Sequence, residues 1–78
     1  MKKIVDLLKE IRPEFDFTES RDFMSDGYLD SFDLVTLVAS MDKEYGIKIK
    51  GVDVVPENFS SLETIRGLAQ KYGVTDEV

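Results

Sequence analysis

The chain has 78 residues, with 16 acidic and 10 basic side chains and a net charge of −6 at pH 7. It has no cysteine and no histidine, which excludes disulfides, thiolate metal sites and thiol catalysis and removes the commonest neutral-pH general base. A chain this short buries only about 60% of its unfolded surface, which leaves little room for both a full core and a deep catalytic cleft. We therefore expect one domain over residues 1–78, cytoplasmic and not an enzyme.

The negative charge is concentrated in the middle of the chain. Residues 22–45 contain six acidic residues and one basic residue, so this segment holds −5 of the net −6. Such a charge disfavours nucleic acid and favours a basic protein partner, although a solvated helix face would look the same. No apolar run approaches the roughly 18 residues of a membrane span. We expect a monomer without a membrane span.

The first part of the chain predicts a helix and then a long loop. Residues 2–12 carry apolar side chains at helical spacing, and Pro13 disfavours helical geometry at Arg12, where the helix should end. Residues 13–30 show no period but contain scattered aromatic residues, so we expect this loop to pack across the bundle. Gly27 can take a positive φ and redirect the chain.

Residues 31–45 predict the second helix. Asp30 is the predicted N-cap, Asp33 can return the contact as a short capping box, and Gly46 favours an end after Tyr45. We expect Asp33 to face solvent. The apolar residues of this helix are expected mainly to form core; they include Phe32, Leu34, Val35 and Met41.

The remainder predicts a connector, a short helix and a last long helix. Residues 47–50 alternate like a strand but have no partner strand, so an extended connector is expected. Residues 54–59 predict a short helical turn with Pro56 at its start. Ser60 and Glu63 form the predicted capping box of the last helix, which ends at Gly73, and residues 74–78 should fray. The fold class is therefore all-α: a small bundle of three long helices and one short helix, with a long loop between the first two.

Ser31 is the most informative residue. A serine at a helix start usually caps the helix, but Asp30 can do this equally well and would leave the Ser31 hydroxyl exposed. A phosphodiester on that hydroxyl would lie at the positive end of the helix. Because the chain has no nucleophile–base pair, Ser31 is interpreted as a point where another enzyme attaches a group.

The segment Asp30-Ser31-Phe32-Asp33, after an Asp-Gly-Tyr-Leu turn, resembles the Asp-Ser-Leu-Asp/Glu motif of acyl carrier proteins. Residues 44–49 and 56–65 are also similar to that family. The resemblance implies an acyl-carrier-like bundle in which Ser31 bears 4′-phosphopantetheine, transferred from coenzyme A by a phosphopantetheinyl transferase. An acyl or aminoacyl cargo would be held on it as a thioester. Further implied partners are a loading ligase and downstream acyl-processing enzymes, which would contact Asp30, Phe32, Asp33 and Asp42.

The chain departs from the usual fatty-acid carrier. Phe32 replaces leucine after the serine, and Thr36 and Lys43 stand where fatty-acid carriers usually have acidic residues. Residues 11–17 and 56–59 look more like stand-alone carriers linked to adenylating enzymes, including the D-alanyl type. Fatty-acid, polyketide, peptide and D-alanyl-type pathways all remain open.

Two other hypotheses compete with the carrier hypothesis. One is a small acidic interaction bundle in which Ser31 stays unmodified. The other is a degenerate calcium-binding loop over residues 22–33, with Asp22, Asp26, Asp30 and Asp33 at the first, fifth, ninth and twelfth positions of an EF-hand-like pattern. Met24 at the third position and an aspartate in place of the final bidentate glutamate argue against that loop.

Overall fold

The structure, a computed structural model, describes residues 1–78 and contains three α-helices. They are α1 (Ile4–Ile11), α2 (Ser31–Tyr45) and α3 (Leu62–Lys71). Two 3-10 helices, Gly51–Asp53 and Pro56–Phe59, lie between α2 and α3, and no strand is present. α1 packs against both α2 and α3. The all-helical bundle with a long first loop confirms the predicted fold class. None of its helices has the length and apolar character needed to cross a membrane.

The ends of α2 are set by local capping contacts. The Asp30 carboxylate accepts a hydrogen bond from the Asp33 N–H at 3.0 Å, and the Asp33 carboxylate accepts one from the Asp30 N–H at 3.1 Å. This reciprocal pair satisfies N–H groups that have no partner within the helix. At the other end, Gly46 has φ 65°, the left-handed geometry that suits a glycine C-cap. The predicted bounds and caps of α2 are confirmed.

The predicted cap of α3 is wrong by one residue. Ser61 is the N-cap, and its hydroxyl accepts a hydrogen bond from the Thr64 N–H at 3.1 Å. The Ser61 N–H in turn donates to the Thr64 hydroxyl at 3.1 Å. Ser60 has helical backbone angles and ends the Pro56–Phe59 3-10 helix, so it cannot adopt the extended geometry that an N-cap needs. Glu63 has no part in this cap.

The long loop between α1 and α2 is part of the core. Phe17 and Phe23 are buried and meet edge to face with ring centroids 5.0 Å apart. Phe15 and Tyr28 stack at 4.4 Å beside them. The Phe23 N–H donates to the Ser60 carbonyl at 2.8 Å, which ties the loop to the chain just before α3. The expectation that the loop packs across the bundle is confirmed.

Beyond α2, one expectation about the end of the chain is wrong, and one short helix was not predicted. Residues 74–78 do not fray, because Val74 and Val78 are buried and the Val78 carbonyl accepts a hydrogen bond from the Ile4 N–H at 3.0 Å. The 3-10 helix Gly51–Asp53 was not predicted, since a single turn produces no periodic signal. It is held to α3 by Asp53, whose carboxylate accepts hydrogen bonds from the Tyr72 hydroxyl and from Lys71 Nζ.

Candidate functional site

Ser31 is the first residue of α2, and its side chain is exposed. The side-chain hydrogen bonds at this helix end are made by Asp30, Asp33 and Arg12, and none of them involves the Ser31 hydroxyl. The fold therefore does not use Ser31 as a cap. Its hydroxyl is available at the positive end of a 15-residue helix, where an anion is stabilised by the helix dipole and the free N–H groups. These residues fit a phosphodiester attached to Ser31.

Asp33 is buried, and the expectation that it faces solvent is wrong. It is only 7% exposed. The same carboxylate oxygen, Oδ2, accepts a hydrogen bond from the Asp30 N–H and one from Arg12 Nε at 2.9 Å. Its capping role directs this side chain back along the first turn of α2, and the Arg12 side chain from the end of α1 covers it. Asp33 therefore acts in the fold, by fixing the start of α2 against α1.

Arg12 is the residue of this site that sequence reasoning missed. Besides Asp33, its guanidinium contacts Asp30 Oδ2 through Nη2 at 3.3 Å and Glu14 Oε2 through Nη1 at 3.6 Å. The pKa of Arg12 is raised above its ordinary value, chiefly by the hydrogen bond to Asp33 and by the charge of that carboxylate. The sequence contains one signal for this role: Arg12 is the only basic residue between Lys9 and Arg21.

Asp42 is also less exposed than its predicted role in partner contacts would require. It is partly buried, and its Oδ1 accepts a hydrogen bond from the Ile49 N–H at 3.0 Å. This contact fixes the extended connector after α2, and the Asp42 backbone carbonyl accepts a second one from the Ile47 N–H. The acidic surface predicted beside Ser31 is thus reduced mainly to Asp30, whose side chain is 57% exposed.

The apolar residues of α2 form two stripes that face opposite ways. Leu34, Leu37 and Met41 are buried in the core. Phe32 is 84% exposed and Val35 is 65% exposed, so core packing was the wrong expectation for these two and the right one for Leu34 and Met41. Both stripes have helical spacing, so periodicity alone does not separate the buried residues from the exposed ones. The exposed stripe lies next to Ser31, and we call it the apolar face: Phe32, Val35 and Ala39.

The surface has two shallow depressions, and both are lined mainly by polar side chains. One lies between α1 and α2, and the other lies between the long loop and the Pro56–Phe59 segment. Neither is lined by Phe32, Leu34, Val35 or Met41 of α2.

The calcium-loop reading finds no support in the arrangement of residues 22–33. The Asp22 carboxylate accepts hydrogen bonds from the N–H groups of Met24 and Ser25, and Asp26 accepts one from the Ser20 hydroxyl at 2.6 Å. Asp30 and Asp33 instead meet Arg12. No group of three or more acidic, cysteine or histidine side chains in the chain is placed to hold a metal ion.

A small helical bundle that presents a free serine at a helix start, with no base beside it, has the features expected of a carrier domain. A comparison with family models shows the family. The model of the phosphopantetheine attachment site family matches residues 2–72. The chain therefore belongs to this family, whose domains are the attachment site for covalent 4′-phosphopantetheine. Searches of curated proteins and of solved structures give no significant match.

Proposed function

We propose that Ser31 is the residue that carries 4′-phosphopantetheine and that the chain is an acyl or aminoacyl carrier protein. The observation that carries the proposal is the exposed Ser31 hydroxyl at the first position of α2, left free because Asp30 and Asp33 cap the helix. The family match over residues 2–72 supports it. The helix dipole favours the phosphodiester at that position.

In this proposal the chain holds the cargo and presents it to partner enzymes. When bound, the prosthetic group supplies a terminal thiol on which the cargo is held as a thioester. The chain itself has no histidine or cysteine and no nucleophile–base pair, so the loading and transfer steps are assigned to partner enzymes. These are a phosphopantetheinyl transferase, an acyl- or aminoacyl-loading ligase and downstream acyl-processing enzymes. The proposed location is the cytoplasm.

Partner recognition is proposed to rest on the apolar face and on Asp30. We expect an enzyme that reaches Ser31 to contact Phe32 as well, because the two residues are adjacent in the first turn of α2 and both are exposed. Burying a phenylalanine ring contributes about 1.5–3 kcal/mol, whereas an exposed ion pair contributes about 0–1 kcal/mol. We therefore assign the main contact to Phe32 and a weaker charge contact to Asp30. Asp33 and Asp42 were also predicted partner residues, but Asp33 is buried and Asp42 is partly buried, whereas the Asp30 side chain is 57% exposed.

The proposed cargo class rests on residues 11–17 and 56–59, which look like stand-alone carriers linked to adenylating enzymes. From them we propose a carrier loaded by an adenylating ligase, the D-alanyl type included. Phe32, Thr36 and Lys43 are exposed, so their departures from the fatty-acid pattern fall where a partner would meet them and count against the usual fatty-acid partners. The competing function is an interaction bundle with Ser31 unmodified.

Intact-mass measurement after incubation with coenzyme A and a broad-specificity phosphopantetheinyl transferase tests the attachment. The chain should gain about 340 Da, the mass of the attached arm. Ser31→Ala should gain nothing, and Ser25→Ala, which removes another exposed serine hydroxyl, should be modified normally. No gain by the unaltered chain with several transferases would favour the interaction bundle. A gain that persists in Ser31→Ala would place the group on another residue.

A further inference from the structure

We propose that Arg12 is the counter-ion of the attached group: after modification its guanidinium exchanges the Asp30 carboxylate for the phosphodiester on Ser31. This inference rests on the proposed attachment at Ser31. It assigns a prosthetic-group contact to a residue outside the Asp-Ser motif and outside α2. The exchange is non-covalent, and no bond of the chain is formed or broken.

Arg12 is held firmly on one side and loosely on the other. Nε donates to the buried Asp33 carboxylate at 2.9 Å, which is an ordinary hydrogen-bond length. Nη2 lies 3.3 Å from Asp30 Oδ2, and Nη1 lies 3.6 Å from Glu14 Oε2. Both outer distances exceed the usual 2.7–2.9 Å or so of a charge-assisted bond. The guanidinium is thus anchored through Nε and keeps two weakly engaged Nη groups beside Asp30.

The two oxygens of Asp30 have separate partners, which allows the exchange without loss of the helix cap. Oδ1 accepts the hydrogen bond from the Asp33 N–H at 3.0 Å and so caps α2. Oδ2 makes the contact with Arg12. Moving the Nη groups to a phosphate breaks two long contacts, the one with Asp30 Oδ2 at 3.3 Å and the one with Glu14 Oε2 at 3.6 Å, and both lie at exposed carboxylates. The cap and the Arg12–Asp33 bond both remain.

The carboxylates around Ser31 favour a nearby cation once the group is attached. Arg12 is the only basic side chain that forms ion pairs with this helix end, where it meets the carboxylates of Glu14, Asp30 and Asp33. A phosphodiester adds a further negative charge at Ser31, whose Cα lies about 3.8 Å from that of Asp30. A guanidinium binds phosphate oxygens through two parallel N–H groups, better than an ammonium can. Arg12 can therefore offset the repulsion that modification introduces.

The experiment compares unmodified and modified protein for the unaltered chain, Arg12→Gln and Lys9→Gln. Lys9 is the matched control because it is an exposed basic residue of α1 that forms none of the ion pairs. In the unaltered chain and in Lys9→Gln, modification should leave the Tm nearly unchanged. In Arg12→Gln it should lower the Tm by a few degrees, because the added charge has no counter-ion. An equal change in all three proteins overturns the proposal.

A second measurement does not depend on the variant being folded. In the modified, unaltered chain, nuclear Overhauser contacts should join the Arg12 side chain to the methylene group of the arm beside the phosphate. Their absence in a protein whose modification is verified by mass overturns the role of Arg12. A chain that gains no mass instead refutes the attachment at Ser31, so the two failures are distinguishable.

Discussion

Two phenylalanines of this chain have opposite environments, and the same substitution should separate stability from recognition. Phe23 in the long loop is 0% exposed and packs against Phe17, whereas Phe32 beside Ser31 is 84% exposed. Phe23→Ala should cost about 3–5 kcal/mol of unfolding free energy, the usual range for a buried ring. For a domain of 78 residues, the total is about 4–12 kcal/mol. Phe23→Ala should thus remove about a quarter or more of it.

Phe32→Ala should leave the unfolding free energy within about 0.5 kcal/mol, because the ring is already in water. Modification by the transferase should instead slow, since a buried phenylalanine contact is worth about 1.5–3 kcal/mol, or roughly 10- to 100-fold in kcat/KM. Urea unfolding followed by circular dichroism gives the first quantity, and timed mass spectrometry gives the second. If Phe23→Ala is as stable as the unaltered chain, the loop is not part of the core. If Phe32→Ala is modified at the normal rate, the apolar face does not contact the transferase.

Two further predictions concern the caps and the pH dependence of stability. Ser61→Ala should lose about 1 kcal/mol in urea unfolding because Ser61 is the N-cap of α3, and Ser60→Ala should lose clearly less; equal losses would contradict this cap. Tyr45 donates a hydrogen bond to the Lys2 carbonyl at 2.9 Å, and burial raises its pKa from 10.0 to about 12. The fold therefore favours the neutral phenol, so the stabilisation is complete below pH 10 and is lost as the pH rises towards about 12. In Tyr45→Phe the urea midpoint should fall less steeply with pH between those values than in the unaltered chain. An equally steep fall in both proteins would refute the assignment to Tyr45.

The parts of the fold that sequence reasoning predicted are those determined by neighbouring residues. The bounds of α2 were correct because Asp30, Asp33 and Gly46 lie within one turn of its ends and act on its own backbone. Ser31 was placed correctly for the same reason. The cap of α3 was missed by one residue because Ser60 and Ser61 offer the same chemistry. The choice depends on where the preceding 3-10 helix ends.

The parts that were missed depend on contacts between distant segments. Asp33 is covered by Arg12, 21 residues earlier, which reaches it from the end of α1. Val78 is ordered because its carbonyl meets Ile4 at the other end of the chain. The outward direction of Phe32 and Val35 follows from which stripe of α2 meets the core, and periodicity alone does not decide between two apolar stripes.

The division of roles at the start of α2 also bears on variants that lose the prosthetic group. Because Asp30 and Asp33 form the cap without Ser31, a chain with alanine at position 31 should fold normally and keep Phe32 and Val35 exposed. If the proposed function holds, such a chain would still dock with the enzymes that act on the carrier, but it would bring them no cargo. The altered chain would then compete with the working carrier for these enzymes wherever both are present in one cell.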